Sequence, residues 1–190
     1  TLAGDRVPSY IAAEEIAPLD VYVSAGWLDE SFVPAAVDAL RYDGQLWALP
    51  LHLQTVTFIY NQSLIDETAL AGQTSELLEK AATFRDENPD AWYLAFPVRE
   101  VYFAAPWIYG AGAWYVQEDG ATGLGTPAAL EAATLLAEMA EQMPPDVDYA
   151  QVDNLFRTGK LAITMNGPWY LDELDAAGVP YGLQVMPHVS

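Results

Sequence analysis

Two short stretches carry the residues best suited to chemistry. Asn166-Gly167-Pro168-Trp169-Tyr170 and Arg99-Glu100-Val101-Tyr102-Phe103 each follow an apolar run of strand character and lead into a helix-like one. In open α/β sheets, ligands bind at the carboxyl ends of strands, which is where both stretches would fall. Aromatic rings there offer flat apolar faces and a carboxylate offers paired acceptors, a combination suited to the apolar faces and hydroxyl pairs of a pyranose. The competing reading makes Trp169 and Tyr102 core residues with satisfied polar tips, since Trp is well buried in most folds. Six Trp, eleven Tyr and six Phe make up 12% of the chain, and several stand beside Gly, Pro or charge instead of inside periodic apolar runs.

Other reaction chemistries find less support. Gly123-Leu124-Gly125-Thr126-Pro127-Ala128 fits a dinucleotide-type glycine pattern but follows a polar turn instead of a strand. Asp86-Glu87-Asn88-Pro89-Asp90 starts like a calcium loop, yet Ala91 stands where Gly is needed and Pro97 where Glu is needed, so a solvated helix end is expected. Gly159-Lys160 lacks the upstream Gly of a phosphate loop and reads as a helix end followed by a strand. His52 and His188 are far apart, with no Cys in the chain, which argues against a transition-metal site; no cofactor is expected. The nucleophile elbow G-x-S-x-G is missing. Paired carboxylates held ~5 to 9 Å apart could hydrolyse glycosides, so a glycosidase is the alternative reading, although acids such as Asp172, Glu173 and Asp175 look like a solvated helix face.

The elements that must position these residues alternate between strand and helix, which argues for α/β layers. Leu46–Leu51 and Thr55–Tyr60 read as a strand pair or one bent strand, and Trp92–Val98 as a strand before a helix from Glu100 to Tyr109 closed by Gly110. A helix is expected from Pro127 to near Met143, with Thr126 as N-cap and Pro144-Pro145 as the stop. Leu161–Met165, Pro168–Ala177 closed by Gly178, and Tyr181–Met186 read as strand, helix and strand, which predicts a parallel pair with a right-handed crossover. At 190 residues with 52% apolar content, the chain can bury a core. Its 7 Lys and Arg against 27 Asp and Glu, a net charge of −20, argue against nucleic-acid or membrane-surface binding. No apolar run is long enough for a membrane span. The opening Thr1 suits a mature chain or a fragment, and the lack of Cys leaves both cytosol and an exported compartment open.

Longer motifs carry a family resemblance. Val37-Asp38-Ala39-Leu40-Arg41-Tyr42-Asp43-Gly44-Gln45-Leu46-Trp47-Ala48-Leu49-Pro50 with Phe58-Ile59-Tyr60-Asn61, and Phe156-Arg157-Thr158-Gly159-Lys160-Leu161-Ala162-Ile163-Thr164-Met165-Asn166-Gly167-Pro168-Trp169, fall in order with Asp5-Arg6 and Glu100-Val101-Tyr102-Phe103. Together they resemble the bacterial extracellular solute-binding proteins of ABC sugar importers, the family 1 kind typified by maltose/maltodextrin-binding protein.

That resemblance implies an α/β, periplasmic-binding-protein-like type II fold of two lobes joined by a hinge, of which this chain resembles the middle portion. Residues 1–53 would be part of the first lobe, 54–57 a hinge crossing strand, and 58–190 most of the second lobe. It implies a receptor that delivers an oligosaccharide of maltose/maltodextrin or trehalose type to the permease subunits of an ABC transporter. The protein would be periplasmic or extracellular, with or without a lipid anchor on a missing N-terminus. Asp5 and Arg6 would bind hydroxyls, Gln54 would contact ligand from the hinge, and Glu100, Tyr102 and Trp169 would come from the second lobe, the two rings stacking on sugar. Two positions depart from the pattern: Gln54 replaces an acid, weakening one charge-assisted contact, and Leu2 stands where a stacking Trp is usual. Few cations favour a neutral sugar, with Arg6 and Arg99 as the exceptions. A first lobe lacking its opening strands would leave sheet edges open to self-association.

Overall fold

A computed structural model describes residues 3–117 and 120–190. Leu2 lies outside the described residues. The chain divides into two compact units, Thr1–Gln54 and Thr55–Ser190.

In the first unit, short helices α1 (Val7–Ala12), α2 (Ala25–Ser31) and α3 (Pro34–Asp38) pack with a two-stranded hairpin, β1 (Arg41–Tyr42) and β2 (Gln45–Leu46). Asp43 and Gly44 both have positive φ (52° and 75°), as a two-residue hairpin turn demands, and Gly is the residue that adopts it without strain. Val7, Leu28, Val37, Leu40 and Leu46 form its core. The hairpin is fastened from outside the ladder, where the Leu46 N–H donates to the Asp20 carboxylate (2.9 Å) and Arg41 lies 3.4 Å from the same side chain. The expected strand Leu46–Leu51 is therefore corrected. Only Gln45–Leu46 is paired, and its partner is Arg41–Tyr42, not the later run. Between Leu46 and Thr57 no residue lies in a strand, and Pro50 has no N–H to contribute to a ladder.

The second unit is built on a four-stranded mixed sheet in the order β4-β5-β3-β6. The sequence enters it through β3 (Thr57–Asn61), so that of the expected crossing strand 54–57 only Thr57 lies in a strand. Next come α4 (Thr74–Glu87), β4 (Trp92–Ala95), α5 (Val101–Gly110) and α6 (Pro127–Glu141). The chain ends with α7 (Tyr149–Arg157), β5 (Leu161–Asn166), α8 (Leu171–Ala177) and β6 (Tyr181–Gln184). α6 begins as expected, with Pro127 in its first turn and the Thr126 hydroxyl accepting from the Ala129 N–H. α8 ends at left-handed Gly178. α5 instead runs through Gly110, and the left-handed glycine follows at Gly112. A reciprocal capping box, Asp148 with Gln151, starts α7.

Strand order corrects the expected crossover. β5 and β6 are not neighbours, because β3 lies between them and pairs antiparallel with both. Burial explains the choice: all six residues of β5 and four of the five in β3 are buried, which suits interior strands covered on both faces, while β6 is half-exposed and takes an edge. Alternate side chains of β3 serve two cores. Phe58 and Tyr60 join Leu77, Trp107 and Met139 from α4, α5 and α6, whereas Ile59 joins Val152, Phe156 and Leu174 from α7 and α8.

Candidate functional site

β4 and β5 are parallel neighbours, with Trp92 opposite Leu161 and Ala95 opposite Thr164. Their carboxyl ends therefore lie side by side, and so do the two strand-to-helix corners that follow them. At the first, Phe96 to Glu100 turn into α5; Glu100 stands at the N-cap position, but its side chain caps no helix N–H and the residue is exposed. At the second, Gly167 leads into a 3-10 turn, Pro168–Tyr170, before α8.

This adjacency brings Tyr102 and Trp169 together. Their ring centroids are 6.1 Å apart and tilted by 54°. Tyr102 is 50% exposed, so much of its ring faces solvent, and partial burial raises its phenol pKa. Trp169 is half-buried, packed against the core shared by α7 and α8. The pair thus combines a seated base with exposed aromatic surface, as a pyranose platform requires.

The sequence singles out Asn166 and Tyr170 within this stretch without their supporting role, and does not mark Tyr149 or Asp153. Asn166 is buried; its amide oxygen accepts from the Gly167 N–H (2.9 Å) and its amide nitrogen donates to the Tyr149 hydroxyl (3.1 Å). Tyr149 packs on Phe103 and on Tyr170, whose hydroxyl donates to Asp153 (2.8 Å). Burial first, then that carboxylate, pushes the Tyr170 pKa upward, so the hydroxyl stays a donor. The available signal was a polar Asn closing an apolar run immediately before Gly. Arg99, the one cation at this corner singled out from sequence, pairs with Asp146 at 2.7 Å, both side chains largely exposed. Such a pair contributes about 0–1 kcal/mol.

The first unit carries its own candidate. A cavity of about 630 Å³ is lined by Gly4, Asp5, Tyr42, His52 and Gln54 among others. Asp5 and Gln54 thus share one cavity; Arg6, in the same 3-10 turn as Asp5 (Gly4–Arg6), is outside the described lining and is exposed. His52 and Tyr42 were not foreseen there, and nothing in their local sequence distinguishes them from surface residues. Among the described residues no group of three or more His, Cys, Asp or Glu could hold a metal ion, and no helix is long and apolar enough to cross a membrane.

Comparison with known proteins supplies the relatives. The chain is 27% identical over 189 residues to the maltotriose-binding protein of Pyrococcus abyssi, covering 98% of this chain and 41% of that protein. It is 23% identical over 200 residues to the galactooligosaccharide-binding protein of Bacillus subtilis, covering 98% and 46% respectively. The chain therefore spans less than half the length of these relatives. Among solved structures, a cyclo/maltodextrin-binding protein complexed with maltotetraose shares its fold with a TM-score of 0.86 at 24% identity, over 98% of this chain and 49% of that one. The α/β architecture is thus that of the matching half of a type II binding protein. Residues 1–189 match the family model described as bacterial extracellular solute-binding protein, and the chain belongs to that family.

Proposed function

We propose that this chain contributes to a receptor that binds a neutral oligosaccharide, of maltodextrin or a related type, outside the cytoplasm and delivers it to an ABC importer. The observation that carries this reading is the Tyr102–Trp169 pair, half-open at the joined carboxyl ends of β4 and β5. Two of the relatives, a maltotriose-binding protein and a galactooligosaccharide-binding protein, point the same way. On this reading the two rings stack on sugar and Glu100 accepts from hydroxyls at the same corner. Asp5, Arg6 and Gln54 supply polar contacts from the first unit, the two units act as parts of the two lobes, and residues 54–57 form a hinge crossing. Binding proceeds without turnover, because capture of a sugar needs stacking and hydrogen bonds but no activated water. The receptor works in the periplasm or at the cell exterior, with permease subunits as its membrane partners.

Calorimetry with maltotriose, maltotetraose and a galactooligosaccharide, each also assayed for released monosaccharide, tests the proposal. The expected result is saturable binding of micromolar order to at least one of them, with no sugar released. Hydrolysis above a buffer blank would overturn it in favour of a glycosidase, and preference for an acidic over every neutral oligosaccharide would overturn the ligand class.

A further inference from the structure

We infer that Gly167 is a positioning residue for Trp169: its lack of a side chain creates the space in which the indole lies, and the Asn166–Tyr149 contact holds that space in register with Tyr102. This rests on the proposed role of Trp169 as a sugar-stacking ring.

The backbone at Gly167 does not itself require glycine. Its φ and ψ are −107° and 179°, extended values open to any residue. The requirement comes from the ring. A Cβ at this position would lie 2.0 Å from Cζ3, 2.1 Å from Cη2 and 2.5 Å from Cε3 of Trp169, far inside contact distance. The six-membered edge of the indole therefore occupies the space any side chain at 167 would fill, and any substitution must expel it.

The surroundings make this a closed arrangement. Gly167 donates to buried Asn166, Asn166 donates to Tyr149, and Tyr149 packs on Phe103 at 6.4 Å between centroids. Phe103 meets Tyr102 at 5.5 Å, and Tyr102 meets Trp169 at 6.1 Å. Starting from β5, the path thus crosses to α7, then to α5, and returns to the corner it left. Both stacking rings take their orientation from one circuit, so a ligand finds them already placed instead of ordering them on arrival, and preorganisation of this kind raises affinity.

The test compares Gly167→Ala in two backgrounds, the unaltered chain and Trp169→Ala, with Tyr149→Phe as a milder third variant. In the unaltered background Gly167→Ala should lower the melting temperature, shift the Trp169 emission (obtained by difference against Trp169→Ala) and weaken maltotetraose binding by about tenfold or more. In the Trp169→Ala background the same change should leave the melting temperature where it was, because no ring remains to be displaced. Tyr149→Phe should weaken binding less and shift the same emission. An equal loss of melting temperature in both backgrounds would overturn the inference, since the demand for glycine would then lie outside the ring; so would parental affinity and unchanged Trp169 emission in Gly167→Ala. Should the unaltered protein bind no sugar, the proposed function falls, while the melting and emission comparisons, made without sugar, still decide the positioning.

Discussion

The two candidate surfaces stand on different foundations. In the second unit the rings project from corners of a sheet whose central strands β3 and β5 are buried almost throughout, and a web of aromatic contacts and hydrogen bonds ties one corner to the other. In the first unit Asp5 sits on a three-residue 3-10 turn and Gln54 at the end of a segment without ladder partners among the described residues, beside a hairpin of only two residues per strand. The difference follows from what each group has to do. A stacking ring works only at a given angle as well as a given place, so it needs a rigid base; a carboxylate or amide reaches a hydroxyl through rotatable bonds and tolerates a looser one.

This contrast can be broken or sharpened by experiment. The largest effect is expected at the foundation: Phe156→Ala, in a fully buried position whose carbonyl also accepts from Asn61, should destabilise the second unit by about 3–5 kcal/mol in denaturant unfolding. A loss under about 1 kcal/mol would mean that the base is far softer than its packing implies. Next, Trp169→Ala should cost about 2 kcal/mol or more of sugar binding by calorimetry with the fold intact by circular dichroism. Retained affinity would make Trp169 a core residue only. Asp5→Ala should cost less, about 1 kcal/mol, as loss of one exposed polar contact; a larger effect than that of Trp169→Ala would reverse the ranking of the two surfaces.

A smaller effect concerns pH. The Leu46 N–H first, and Arg41 after it, hold the Asp20 carboxyl below the ordinary range. A folded-state pKa below the unfolded value of about 3.9 means that its contribution is complete above that pH and is lost as the pH falls through the folded value. The hairpin amides of Arg41–Leu46 should therefore lose protection, measured against the intrinsic exchange rate at each pH, as the pH falls below about 4, and Asp20→Ala should show that loss of protection already at neutral pH. Equal exchange in both proteins at neutral pH would show that the hairpin does not depend on this contact. The weakest expected effect lies at the sheet edge, where Leu183 and the following Val185 are 54% and 83% exposed on and beside β6. Light scattering over a concentration series should detect self-association that Leu183→Lys suppresses; a monomer at all concentrations would dismiss it.

Much of the local structure was legible because its causes are local. Thr126-Pro127 at one end and Pro144-Pro145 beyond the other delimit α6; the apolar run Leu161–Met165, bounded by Gly159 and Gly167, is too short for a helix and forms a strand; Gly178 ends α8 with a left-handed turn. The two aromatic corners were also readable, since each is a polar or aromatic cluster that interrupts a strand-to-helix transition. Strand order was not. The sequence of elements suggests that β5 and β6 pair directly, whereas β3, from much earlier in the chain, enters between them because its residues require cover on both faces.

The same holds for the site. The amino-acid sequence alone determined which residue types are available, rings with a nearby carboxylate in a strongly acidic chain, and placed each at the end of a strand. Only the tertiary structure decided that Tyr102 meets Trp169, that Asn166 and Tyr149 support the corner, and that Gly167 leaves room for the indole. The reason is physical. Caps, turns and runs act over a few neighbouring residues, but the parallel pairing of β4 with β5, which brings the two corners together, is selected by burial across the whole sheet, a property that no single segment carries.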